Sequence, residues 1–175
     1  MDGRVTEHRV RVVPGVISTD DIIPGRYKHM YTDPRDMAPH VFESLLPGFA
    51  ASLRKGDALY CHDLFGIGSS REQAVSSLMA AGVTAIFARR FGRIFFRNAW
   101  NLGLPVIELR DCDLAEEEPI SVDLERGVLQ RSTGPVAFEP PPPQMLQMLR
   151  AGGLLASVAA RVRADRLPAG GETGP

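Results

Sequence analysis

Cysteine and net charge are both scarce in this chain, and each scarcity narrows its chemistry. Among 175 residues only Cys61 and Cys112 are cysteines, far apart and in no Cys-x-x-Cys pairing. That excludes a disulfide framework and a zinc knuckle and favours a reducing compartment. Lys and Arg number 20 against 21 Asp and Glu, a net charge of −1 at pH 7. No broad basic field therefore offers itself to nucleic acid or to an anionic membrane. Long apolar runs are missing too: nothing approaches the ~20 residues of a membrane span, and the start "MDGRVTEHRVRVV" has no signal-peptide core. The expectation is a soluble, cytoplasmic protein whose functional charges are local.

What is present suits one globular domain, expected over residues 1–166, with "LPAGGETGP" at 167–175 too poor in apolar residues to fold and expected to be a disordered tail. Val10 to Val13 begin a strand, polar turn and second strand running into "STDDIIPGRY". Thr32 or Asp33 can cap short helical turns that Pro39 and Pro47 interrupt. "DALYC" and "VTAIFA" are strands by apolar and β-branched content. From Arg71 the residues Ala74, Val75, Leu78, Met79 and Ala81 recur at helical spacing, with Gly82 as the stop. In "GRIFFRNAWNL", Ile94, Phe95, Ala99 and Leu102 share one face before Gly103, and "LPVIEL" follows as a strand. Strand and helix in alternation predict parallel pairing in an α/β fold. Beyond Asp111 a small antiparallel element is expected, then Pro140 to Pro143 and one helix, "QMLQMLRAGGLLASVAARV", weakened at Gly152 and Gly153. Its Met145, Leu146, Met148 and Leu149 are most simply core.

The chemistry concentrates in "DLFGIGSSREQAVSSL". Gly66 and Gly68 let a backbone approach a ligand, and the first N–H groups of the following helix lack intrahelical partners. Arg71 adds a planar guanidinium that can grip a carboxylate through two parallel hydrogen bonds, with Ser69 and Ser70 beside it. The residues predict a carboxylate or phosphate site. No Lys-Ser or Lys-Thr follows as in a phosphate loop, the spacing is not G-x-G-x-x-G, and no glycine follows Ser69 as in a hydrolase elbow. The plainer alternative is a helix merely capped by Ser69 or Ser70.

Four blocks in order, "STDDIIPGRY", "TDPRDMAPHVFE", "FGIGSSREQA" and "AIFARRFGRIFFRNAWNLGLPVIE", resemble the 3-isopropylmalate dehydratase small-subunit family, whose fold is the swivelling domain of the aconitase superfamily. The resemblance covers residues 9 to 110 well and the rest loosely. It implies a swivelling β/β/α domain, a mixed, mainly parallel sheet flanked by helices. It also implies a hydro-lyase that removes water from a hydroxy-di- or tricarboxylate and returns it at the neighbouring carbon. The [4Fe–4S] cluster of such enzymes sits on a separate large subunit, in a heterodimer or heterotetramer, and this chain would bind no cofactor or metal itself.

Carried over by position, the resemblance makes Ser69 the catalytic base, Asp20 the acid at the site's edge, and Arg71 the carboxylate clamp. Ser70 and Gly68 complete the substrate contacts. "RYKHMYTD" aligns with the loop that selects the substrate's side group: Arg26 or Lys28 for a distal carboxylate, Met30 and Tyr31 for an apolar slot. Ile67, Gln73 and Leu64 depart from the family's usual Cys, His and Asn. A homoaconitase, a dimethylmaleate hydratase or a non-catalytic anion-binding module stays open. Cys61 and His62 are set aside as packing, and Arg89, Arg90, Arg93 and Arg97 as a solvated face.

Overall fold

The computed structural model describes residues 5–69 and 71–166. The chain enters as β1 (Thr6–Val12), turns at Pro14 and Gly15, and resumes as a two-residue strand, β2 (Ile17–Ser18). The second strand expected here is cut short by a helical turn, α1 (Thr19–Ile22). Its cause is a reciprocal cap. The Asp21 N–H donates to Ser18 Oγ at 3.1 Å, and the Ser18 N–H donates to Asp21 Oδ2 at 2.8 Å. Two cap bonds outweigh the strand preference of Ile22 and Ile23. Short turns follow: α2 (Tyr27–Met30), α3 (Pro34–Met37) with Asp33 as its N-cap, a 3-10 turn (Ala38–His40) and α4 (Phe49–Ser52).

The central strand β3 (Asp57–Ile67) runs well beyond the expected "DALYC" into the glycine turn. α5 (Glu72–Ala80) leads to β4 (Val83–Phe91), and α6 (Arg93–Leu102) to β5 (Val106–Glu108). All pairings among β1 to β5 are parallel, as the alternation predicts. β6 (Pro119–Asp123), β7 (Val128–Gln130) and β8 (Val136–Ala137) then add an antiparallel extension through β1, giving the order β5-β4-β3-β1-β6-β7-β8. β4 occupies one edge of β3 from Asp57 to Phe65, so β1 and β2 lie one after the other along its opposite edge.

A strand covered on both faces should be buried at successive residues, and β3 is, from Asp57 through Cys61. Further along, Phe65 meets Phe95, Phe91 and Phe42 edge-on at 5.2, 6.2 and 6.4 Å between centroids. Each such side chain, fully buried, contributes about 1.5–3 kcal/mol. α6 buries Phe95, Ala99 and Trp100, whereas Ile94 is 46% exposed, contrary to its expected place on the apolar face. One position from Phe95 on a helix is about 100° away, which turns Ile94 outward. Met79 likewise lies at the exposed rim of α5.

The helix expected over the last stretch is two helices, α7 (Pro143–Arg150) and α8 (Leu154–Arg166). Gly152 and Gly153 take φ of +86° and +109°, and a Cβ on Gly153 would lie 2.6 Å from the Asn101 carbonyl oxygen. The pair is a close-packed break against the end of α6. Met145, Leu146, Met148 and Leu149 are only half-buried, and of these Met145, Met148 and Leu149 pack against the edge of the core. The expected tail, 167–175, lies outside the described residues.

Candidate active site

Ser18, ending β2, is in register with Ile67, ending β3. The segments leaving these two neighbouring parallel strands, Thr19-Asp20 and Gly68-Ser69, therefore emerge side by side at the carboxyl end of the sheet. Open α/β sheets bind ligands at such an end. Three glycines bring the pieces close. A Cβ on Gly92 would lie 2.2 Å from the Gly66 carbonyl oxygen, and one on Gly66 would lie 2.3 Å from Phe95 Cγ. One on Gly68 (φ +106°) would lie 3.2 Å from Thr19 Oγ1, a buried hydroxyl with no hydrogen-bond partner among the described residues.

The adjacent aspartates have separate work. Asp21 is occupied with the Ser18 cap, whereas Asp20 points to Arg71, whose Nη1 donates to Asp20 Oδ1 at 2.5 Å and to the Ile23 carbonyl at 3.2 Å. The Arg71 side chain is 17% exposed and that of Asp20 is 62% exposed, so the guanidinium is held from behind while its anionic partner is open to solvent. Gly25 lies across the same group, its Cβ position 3.2 Å from Arg71 Nη2. Arg71 is itself the N-cap residue of α5 and makes no side-chain cap bond. The plain serine-capped helix is therefore not the geometry described. The Arg71 N–H donates to the Ser69 carbonyl at 2.8 Å, and the Ser69 side chain stays exposed.

Of the expected site residues, Ser69, Gly68, Arg71 and Asp20 thus converge, and Ser70 lies outside the described residues. Lys28 and Met30 belong to α2, with Met30 62% exposed. Arg26 and Tyr31 are tied down. The Arg26 guanidinium pairs with Glu43 and lies over the Tyr27 ring at 4.7 Å. Tyr31 stacks with Tyr27 and His40, each at 5.8 Å. Arg89, Arg90, Arg93 and Arg97 are exposed. Reasoning from sequence passed over Thr19, Gly25, Tyr27, His40 and Glu43. Only the Pro-Gly step at Gly25 and the His-x-x-Glu spacing hinted at them.

A [4Fe–4S] cluster needs three or four thiolates. Cys61 is buried in β3, its Sγ donating to the Gly15 carbonyl at 3.1 Å, and Cys112 sits against Arg131 Nη1 at 3.2 Å. These two thiols do not fit such a cluster. Among the described residues no group of three His, Cys, Asp or Glu could hold a metal ion, and no helix is long and apolar enough to cross a membrane.

Residues 55–111, which span β3 to β5, match the aconitase C-terminal domain family. Over 142 residues, 79% of this chain and 86% of the relative, the chain is 44% identical to 3-isopropylmalate dehydratase small subunit 1 of Thermotoga maritima. The chain belongs to the 3-isopropylmalate dehydratase small-subunit family. Within that family, small subunit 2 of Archaeoglobus fulgidus is 42% identical over 81% of this chain and 87% of its own length. The crystal structure of 3-isopropylmalate dehydratase from Methanocaldococcus jannaschii superposes with a TM-score of 0.86 at 30% identity, covering 93% of this chain and 98% of that one. The mixed, mostly parallel sheet flanked by helices is the swivelling fold of this family.

Proposed function

We propose that this chain is the small subunit of a two-chain hydro-lyase that interconverts 2-isopropylmalate and 3-isopropylmalate in leucine biosynthesis, in the cytoplasm. The small-subunit names of its relatives support a large-subunit partner, and the misfit of Cys61 and Cys112 to a cluster is consistent with a [4Fe–4S] group on that partner. The observation that carries the reading is Arg71, held at the start of α5 beside the exposed Ser69 and Asp20. A guanidinium gripped on one side can take a substrate carboxylate on the other, as a bidentate pair.

In this reading Ser69 accepts the proton alpha to a carboxylate. A serine oxygen is a weak base, so it needs positive potential: the Arg71 charge and the N-terminal end of α5 supply it. Asp20 fills the second catalytic position and holds Arg71 until a substrate carboxylate takes its place. Arg71 fixes the substrate so that the departing hydroxyl faces the partner. The α2 turn, with Met30 exposed, lines the alkyl group.

The test is reconstitution with the large subunit and assay of 2-isopropylmalate turnover. Ser69→Ala should lower kcat by roughly 100-fold or more with KM little changed, the loss of one positioned base. Arg71→Lys should mainly raise KM, because a point charge cannot reproduce the fork. Near-normal kcat in Ser69→Ala would remove Ser69 from the mechanism.

A further inference from the structure

The chain passes from the clamp directly into the α2 turn. A Cβ on Gly25 would lie 3.2 Å from Arg71 Nη2, and the next residue, Arg26, is the N-cap of α2, so this segment starts beside the place where a carboxylate would meet Arg71. The charge that this segment presents therefore bears on which substituent it accepts. Arg26 by itself would favour a further carboxylate. In the structure its guanidinium pairs with Glu43, donates to Tyr27 Oη at 3.3 Å and lies over the Tyr27 ring.

Glu43 is built into this position. The Tyr27 hydroxyl lies 2.8 Å from each of its carboxylate oxygens, and His40 Nδ1 lies 2.8 Å from Oε2. His40 stacks on Tyr27 at 4.1 Å. The preceding residue, Phe42, is fully buried at a left-handed φ of +58°, and its N–H donates to the Ile22 carbonyl at 2.9 Å. A bulky residue holds that backbone only when its surroundings enforce it. Here the Phe42 ring enters the core while Glu43 turns back to the α2 segment. Burial opposes the Glu43 charge, but the Tyr27 and His40 hydrogen bonds and the Arg26 charge outweigh it and hold its carboxyl below the usual glutamate range.

We propose that Glu43 is a specificity-determining residue: by neutralising Arg26 it makes the wall beside the bound substrate favour an alkyl group over a third carboxylate. The inference rests on the reading of Arg71 and Ser69 given above. It uses one unfavourable element, a negative charge behind the wall, to turn away a rival substrate class.

The test uses the reconstituted two-chain enzyme, with tricarballylate as a competing tricarboxylate against 2-isopropylmalate. The quantity read is the ratio of its Ki to the KM for 2-isopropylmalate. Glu43→Gln keeps one acceptor oxygen for Tyr27 or His40 but removes the charge opposite Arg26, and should lower the ratio about fivefold, the size of a charge pair in contact with water. Arg26→Ala, at an exposed position, leaves the Glu43 charge unopposed and should raise it. Adding Arg26→Ala to Glu43→Gln should cancel the fall, and Tyr27→Phe, which spares the ion pair, should leave the ratio within twofold, as roughly expected for a retained pair. An unchanged ratio in both Glu43→Gln and Arg26→Ala, with 2-isopropylmalate turnover intact, overturns the role of Glu43 alone. Absence of turnover in the unmodified pair overturns the functional reading, and this inference with it.

Discussion

Replacing Gly92 with alanine tests whether the glycine turn and α6 form one close-packed joint. Gly92 is the N-cap residue of α6 with φ −62° and ψ 131°, a backbone that alanine adopts freely. The difficulty is contact: the new Cβ would stand 2.2 Å from the Gly66 carbonyl oxygen and 2.8 Å from its carbon. Both are backbone atoms, so the joint must open by about 1 Å to restore ordinary separation. Opening it also stretches the Gly92 N–H bond to the Phe65 carbonyl, now 2.8 Å, and lifts Phe95 from the face of Gly66. Overpacking costs about 1–3 kcal/mol and a weakened hydrogen bond about 0.5–1.5, so the expected loss is roughly 2–4 kcal/mol. For a chain of this size that is a fall in Tm of about 5–15 °C. Gly15→Ala is the comparison, since its φ is +79° with no atom within 4 Å of the Cβ position. It should lose only the left-handed backbone cost, about 1–2 kcal/mol. Urea unfolding of both variants, with m-values compared, reads the difference. A Gly92→Ala protein within about 0.5 kcal/mol of the parent, as for an ordinary surface change, would refute the steric argument.

Two further outcomes follow from charges at opposite ends of β3. Asp20→Asn keeps an oxygen that can accept from Arg71 but no titratable group, so steady-state kinetics should show a fall in kcat with KM changed less than about threefold; a KM rise matching that of Arg71→Lys would leave Asp20 only a positioning role. At the other end, burial alone would push the Asp57 carboxyl up, but Arg9, the Arg54 N–H and Arg11 outweigh it and hold it below the usual range. A lowered folded pKa contributes stability that is fully present above about pH 4 and is lost as pH falls through the folded value. Asp57→Asn should therefore unfold about 3–5 kcal/mol more easily at neutral pH, because Arg9 and Arg11 lose their buried partner, and its stability should vary less on acidification than the parent's.

The parts legible in the sequence were those whose cause is local. Ala74, Val75 and Leu78 at helical spacing marked α5, and the apolar runs marked the doubly covered strands β3 and β4, because each pattern reflects burial of a whole face. The Gly-x-Gly-Ser-Ser-Arg segment read locally as a candidate anion site through its glycines, hydroxyls and guanidinium, with a capped helix as the alternative, whereas Asp20 entered only through the family resemblance and is joined to Arg71 by a contact no local pattern announces. The failures share another cause. Ile22 and Ile23 suggested a strand, but a three-residue reciprocal bond between Ser18 and Asp21 decided for a helical turn. Gly152 and Gly153 looked like weak points in one helix, and are a break because both take a left-handed φ and the end of α6 leaves no room for a Cβ on Gly153. Arg26 looked available to a ligand, yet its partner Glu43 arrives from a separate turn that is placed by the burial of Phe42. Contacts of that kind depend on how elements meet, and no periodicity announces them.

If Ser69 is the base, as proposed, the same geometry gives a reason for dividing it from the rest of the chemistry. Ser69 is exposed, and in water its alkoxide gains little from Arg71, because the attraction between charges falls as the surrounding dielectric rises. Excluding water raises the value of every fixed donor around it. This chain provides the donors: Arg71 is the N-cap of α5, the Gly66–Gly92 joint fixes the turn, and Asp20 holds the guanidinium in place. Among the described residues nothing covers them, since Ser69, Asp20 and Met30 are all exposed. On the proposed reading the large subunit supplies that cover, so assembly converts a weak exposed base into a strong enclosed one. Catalysis is then confined to the complex, where a hydroxy acid is committed between the two surfaces. On that same reading a lone small subunit leaves Ser69 in water, with too little driving force to remove a carbon-bound proton, so the isolated chain should show no turnover.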